Sequence, residues 1–159
     1  MALIYESPHF VVESFDPPHV DRDDGGHIKI DPKVRVSDRQ QLSPSQAIEL
    51  MRLTMVSGEA MKTVMNNRGV DIGRINYQDN GNWSVLNPDG PYLHIHLYGR
   101  AKSAKYQKWG EACYFPLRSQ RPEYYAKCRP LTKEDVAAIK DEIIKLLRTG
   151  KYSDKAWGL

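Results

Sequence analysis

The sequence predicts an α+β fold in which one antiparallel sheet of about five strands carries a long packed helix and an additional helix near the C-terminus. Two observations carry this expectation. Several segments alternate apolar and polar residues with a period of two, and two others repeat apolar residues at helical spacing behind clear start signals. Taken in order, short strands are expected around Leu3 to Tyr5, Phe10 to Ser14 and His27 to Asp31. The intervening stretch DPPHVDRDDGG is rich in proline, acids and glycine, so it is expected to be an exposed loop inserted before the third strand. A helix opens at Ser43-Pro44-Ser45-Gln46, where Ser43 can cap, Pro44 suits the first helical position and Gln46 can close a capping box. Its apolar face runs through Ala47, Leu50, Met51, Thr54, Met61, Val64 and Met65, and Arg68-Gly69 ends it. The methionines read as core or as a dimer interface. A strand near Ile72 to Gln78, a Gly/Asn/Pro-rich loop through Gly90 and a strand from Tyr92 to Tyr98 follow. The last helix has Thr132 as its cap, Val136, Ile139, Ile143, Leu146 and Leu147 on one face, and a stop by Gly150.

At 159 residues the chain fits one domain with a real core. Apolar residues make up 40% and charged residues 27%, which excludes a disordered or fibrous chain. No stretch approaches the roughly 20 apolar residues that cross a bilayer, and MALIYESPHF lacks a basic head and an apolar centre, so neither membrane insertion nor secretion is expected. Cys113 and Cys128 form no CxxC pair, which suits reduced thiols in a cytoplasmic protein. The net charge of +3 is mild, yet Arg100, Lys102, Lys105 and Lys108 gather in one short stretch. A phosphate-bearing ligand would be attracted there, although such clusters also serve as solvated surface. No zinc finger and no sustained basic stripe is present, so a nucleic-acid partner is not expected.

The segment Tyr92-Leu93-His94-Ile95-His96-Leu97-Tyr98-Gly99-Arg100 is the sharpest chemical feature. Period-two geometry sends Tyr92, His94, His96 and Tyr98 to one face and Leu93, Ile95 and Leu97 to the other. Two imidazoles this close on a rigid strand could divide labour as nucleophile and hydrogen-bond donor. They could equally be satisfied members of a polar face, or two ligands of a metal that needs a third. The spacing alone leaves all three readings open.

With its surroundings, the segment resembles the signature of the histidine-triad (HIT) superfamily: three histidines alternating with apolar residues, then a small residue or proline and an arginine. Aligned on Gly99-Arg100, the family's first histidine falls on Tyr92, its nucleophilic middle histidine on His94 and its third on His96. The resemblance continues through IYESPHFVVESFDPPH, GGHIKIDPKVRV, LSPSQAIELM and INYQDNGNW and covers roughly residues 3 to 100, with Gly26-His27 matching the family's GH pair.

The resemblance implies a HIT-like fold with its core over about residues 3–115, a C-terminal helical extension over about 130–159, and a homodimer of the Hint/Fhit-like hydrolase branch. It also implies hydrolysis of a nucleoside phosphate derivative, either a dinucleoside polyphosphate or a nucleoside phosphoramidate, through a covalent nucleotidyl-His94 intermediate. A nucleotidyltransferase using the same intermediate and a nucleotide-binding protein with little turnover are the alternatives. The tautomer of His94 would be set by the Tyr92 carbonyl, His96 would hydrogen-bond a substrate oxygen, and His27 would support both from the neighbouring strand. On the substrate side the resemblance places Asn76, Tyr92 and Arg100, with Ser14 near the ribose and Phe10 and Ile28 as walls for a purine base. Glu13 and Asp16 are alternatives to Ser14. The family's phosphate-contacting residue ahead of the triad has no counterpart in residues 84–90. No cofactor and no metal are implied.

Overall fold

The structure is a computed structural model that describes residues 1–79, 81–85 and 88–159, with only the backbone of residues 82 and 83. Five strands form the sheet: β1 (Ala2–Glu6), β2 (Phe10–Ser14), β3 (His27–Pro32), β4 (Ile72–Asp79) and β5 (Ile95–Ala101). Their order is β1-β2-β3-β5-β4, with every neighbouring pair antiparallel. The helix α1 (Pro44–Asn67) packs on this sheet, the short α2 (Pro122–Tyr125) lies in the segment after β5, and α3 (Lys133–Leu147) and α4 (Asp154–Trp157) complete the chain. The five antiparallel strands, the long helix and the additional C-terminal helix are those the sequence predicts.

Register explains how the sheet separates its two faces. Val12 pairs with Ile30 and Ile30 with Ile95, while Ile28 pairs with Leu97, so one face is continuously apolar across three strands. Leu50, Leu53, Val56, Ala60, Met61, Val64 and Met65 of α1 are buried against it. The same registers place Lys29 opposite His96, and His27 and Asn76 opposite Tyr98, on the other face. Both capping boxes form: Ser43 with Gln46 at the start of α1, and Thr132 with Asp135 at the start of α3. Val136, Ile139 and Ile143 of α3 join the common core.

Two expectations require correction. The last strand begins at Ile95 rather than Tyr92 and extends to Ala101. The alternation survives that shift, because Leu93, Ile95 and Leu97 all enter the core. The stretch between β2 and β3 is not an exposed loop: His19, Val20, Asp21 and Asp24 are all at most 5% exposed. Its acids are consumed internally. Asp24 accepts the backbone N–H groups of Lys105, Tyr106 and Gln107, and Asp21 accepts those of Asp23 and Arg129. Residues 102–131 thus cover the loop that composition alone assigned to solvent. The Gly/Asn/Pro-rich loop expected before Gly90 falls partly on Asn80, Leu86 and Asn87, outside the described residues.

Candidate active site

The sheet face opposite α1 gathers four histidines. His96 lies 4.7 Å from His94 and 4.8 Å from His27 between ring centroids, and His19, from the buried loop, lies 4.9 Å from His27 and 5.4 Å from His96. Tyr92 stacks on His94 at 4.4 Å, while Phe15 and Tyr98 border His96 at 5.5 Å each. The loop reaches this position because Gly25 and Gly99 touch backbone to backbone, where a Cβ on either would collide. Gly25 and Gly26 also hold φ angles of 131° and 80°, a region L side chains avoid.

Hydrogen-bond direction fixes the tautomers. The His94 Nδ1 atom lies 3.0 Å from the Tyr92 carbonyl, which can only accept, so Nδ1 carries the proton and Nε2 keeps its lone pair. The backbone N–H of His19 donates to Nδ1 of His27 at 3.1 Å, which leaves the proton of neutral His27 on Nε2. That Nε2–H donates to Nδ1 of His96 at 2.8 Å, and so the proton of His96 sits on Nε2. His94 therefore presents an Nε2 lone pair beside the Nε2–H of His96. Among the described residues neither Nε2 has a hydrogen-bond partner.

Burial keeps these rings neutral. Desolvation is the first cause in each case: it pushes His96 down to about 2 and His19 to about 4, and holds His27 well below the usual imidazole range. His94 is also lowered, first by burial, with the Tyr92 carbonyl and the Asp31 and Asp79 carboxylates opposing it. Neutral His94 keeps the lone pair on Nε2.

The substrate-side expectations divide. Tyr92 contributes the carbonyl to His94 and its ring to the cluster. Arg100 is on the histidine face but only 4% exposed, and its guanidinium donates to Cys113 Sγ and to the carbonyls of Lys108 and Glu111. Asn76 donates to the same Cys113 Sγ at 3.3 Å. Both tie down the segment after β5 rather than facing the two Nε2 atoms. Phe10 and Ile28 lie in the core on the α1 side, with Ser14 paired to Ile28 and 2% exposed. The structure does not bring these three to the histidines, since each is in the wrong phase of its strand.

Three contributors escaped the sequence reading. His19 and Phe15 could not be placed without knowing that their loop folds inward. Lys29 could have been: it shares the strand phase of His27, is 6% exposed, and holds Asp31 at 3.0 Å. The metal alternative meets a directional obstacle. His19, His27 and His96 have ligand atoms within 4.8 Å of one another. His27 Nδ1, however, already takes an amide proton, which obliges Nε2 to carry one and removes the lone pair a metal would need.

No family model and no curated protein matches the chain at the level of sequence. Solved structures do match its fold. A histidine-triad protein from Sinorhizobium meliloti superposes with a TM-score of 0.60 at 15% identity, covering 91% of this chain and 87% of that one. A hypothetical histidine triad nucleotide-binding protein from Sulfolobus tokodaii gives 0.58 at 18%, covering 98% and 91%. A zinc-bound histidine triad family protein from Mycobacterium smegmatis gives 0.57 at 16%, covering 91% and 84%. The fold is that of histidine-triad proteins.

Proposed function

We propose that this chain belongs to the HIT superfamily, in its Hint/Fhit-like hydrolase branch with Tyr92 at the first triad position, and that it hydrolyses a nucleoside phosphate derivative. The observation that carries this reading is the bond from His94 Nδ1–H to the Tyr92 carbonyl, which leaves the lone pair on Nε2. In the first step that lone pair forms a bond to the α-phosphorus, and the bond to the leaving group breaks with its electron pair going to the leaving atom. In the second step water attacks the phosphorus and gives up a proton to solvent, the P–N bond breaks so that Nε2 recovers its pair, and the nucleotide leaves. His96 Nε2–H donates a hydrogen bond to a phosphate oxygen, and His27, held by the His19 amide, keeps that proton on the correct nitrogen of His96. No metal enters this scheme.

A purine nucleotide as substrate, a homodimer and a cytoplasmic location complete the reading. What supports the dimer is a cleft of about 460 Å³ lined by Leu42, Leu50, Met51, Met55, Tyr77 and Ile95, beside the edge strand β4. Met51 and Tyr77 are 55% and 49% exposed there. Free Cys113 and Cys128 suit a reducing compartment. The test is turnover of adenosine and guanosine polyphosphates and phosphoramidates by wild type, His94→Ala and His94→Asn. Loss of at least about 10³-fold in both variants is expected, and retained turnover in both would end the nucleophile assignment.

A second reading, nucleotide binding with little turnover, is favoured by one observation. Asn76 and Arg100, the side chains expected on substrate, are both engaged with Cys113. Wild type that binds AMP yet releases nothing from any of these substrates would establish it.

A further inference from the structure

Lys29 is a buried cation on the histidine face of a central strand, where an apolar side chain would avoid the cost of desolvating a charge. It sits opposite His96 in the β3–β5 register. Its Nζ lies 3.0 Å from an Asp31 carboxylate oxygen, 5.5 Å from the centre of the Phe15 ring and 5.8 Å from that of Tyr92. A second cation approaches the same tyrosine. The Arg35 guanidinium is 4.6 Å from the centre of the Tyr92 ring and is held by the carbonyls of Asp89 and Gly90 at 2.9 and 2.7 Å. Tyr92 in turn stacks on His94. Two cations therefore gather on a ring that touches the nucleophile. A neutral phenol permits this, whereas an imidazole at that position could acquire a proton and repel them.

The carboxylates whose charge reaches His94 sharpen the point. Asp31 and Asp79 both act on His94, so without the cations the approach to Nε2 would disfavour an anion. The proton inventory points the same way. His96 can release its Nε2 proton only if His27 replaces it, and that would leave His27 an imidazolate, because its other nitrogen accepts the His19 amide. Breaking a P–N bond requires a proton on the departing nitrogen. Breaking a P–O bond to a phosphate leaving group requires none, since the electron pair stays on an oxygen that departs as a stable anion.

We propose that Lys29 and Arg35, gathered on Tyr92, form the subsite for an anionic leaving group, and that the site therefore cleaves nucleoside polyphosphates in preference to phosphoramidates. Asp31 is the positioning residue that holds the Lys29 ammonium. This rests on the assignment of His94 as nucleophile. As the new His94–P bond forms, the P–O bond to the distal phosphate breaks. The departing oxygen keeps the pair, and both cations keep all their protons and neutralise the released charge.

The experiment measures kcat/KM of wild type, Lys29→Met, Lys29→Gln and Arg35→Met on a polyphosphate and a phosphoramidate of the same nucleoside, with circular dichroism melts of each variant. Wild type is expected to favour the polyphosphate. Lys29→Met and Lys29→Gln should lower polyphosphate turnover about 100-fold and Arg35→Met about tenfold, while phosphoramidate turnover changes less than about threefold. Arg35 is exposed, so its variant keeps the test valid even if both Lys29 variants fail to fold. Parallel losses on both substrates, or no loss on the polyphosphate, would overturn the proposal. If wild type turns over neither substrate, the hydrolase reading fails, and calorimetric binding of inorganic tripolyphosphate then tests the subsite alone. Binding at least about tenfold weaker in Arg35→Met would support it, whereas equal binding or none would overturn it.

Discussion

At the scale of single residues, the proposed chemistry depends on which nitrogen of each ring carries a proton, and pH reads that directly. His94 must be neutral to attack, and burial lowers its affinity for a proton below the imidazole norm of about 6.5. A single-proton loss of kcat/KM is therefore expected below about pH 6.5, with a plateau above it, as measured over pH 4.5 to 8.5. The carbonyl of Tyr92, not its phenol, fixes the tautomer of His94. Tyr92→Phe should accordingly change the rate by less than about threefold in a steady-state assay, because the ring and the carbonyl both remain. The phase of each strand was legible from residue identity: His27 on one face obliges Ile28 to take the other. Ile28 was nonetheless expected at the substrate because the motif resemblance took precedence over strand phase. The same phase puts Lys29 on the face of His27, a signal the motif resemblance left unused.

At the scale of elements, local signals survived folding best. The Ser43 and Thr132 caps depend on residues three positions away, and both boxes form where the sequence predicts them. The loop between β2 and β3 failed as a prediction because its partners are 81 to 108 residues distant: Asp24 on residues 105–107 and Asp21 on Arg129. Gly99 anchors that loop from β5. A Cβ there would enter the Gly25 carbonyl well inside van der Waals contact, so Gly99→Ala should cost about 1–3 kcal/mol in urea unfolding. It should also disturb the His19 amide that orients His27, lowering the rate more than a remote substitution of equal cost.

At the scale of the whole molecule, three buried neutral histidines make stability depend on pH with a definite sign. The folded values of His19, about 4, of His96, about 2, and of His27, well below the norm, all lie under the unfolded value near 6.5. Between those limits the unfolded chain binds protons that the folded chain refuses, so stability falls as pH drops below about 6.5 and is level above it. Each histidine contributes about 1.4 kcal/mol per pH unit, or up to about 4 kcal/mol for the three together. Urea unfolding at pH 7.5, 6.5 and 5.5 measures this slope, and His19→Gln should lower it by up to about 1.4 kcal/mol per pH unit. We take residues 1–159 as one domain, in which α3 is part of the core rather than an appendage. Truncation after Leu131 would strip Val136, Ile139 and Ile143 from that core at about 1.5–3 kcal/mol each, enough to abolish cooperative unfolding in a marginally stable domain.

The central claim is that His94 becomes covalently nucleotidylated, and mass spectrometry of acid-sparing digests after rapid mixing with substrate addresses it most directly. Trypsin releases residues 75–100 as one peptide containing both His94 and His96. A nucleoside monophosphate adduct located on His94 by fragmentation, and absent from His94→Ala, is the predicted result. An adduct on His96, or substrate turnover with no adduct on either ring, would contradict it.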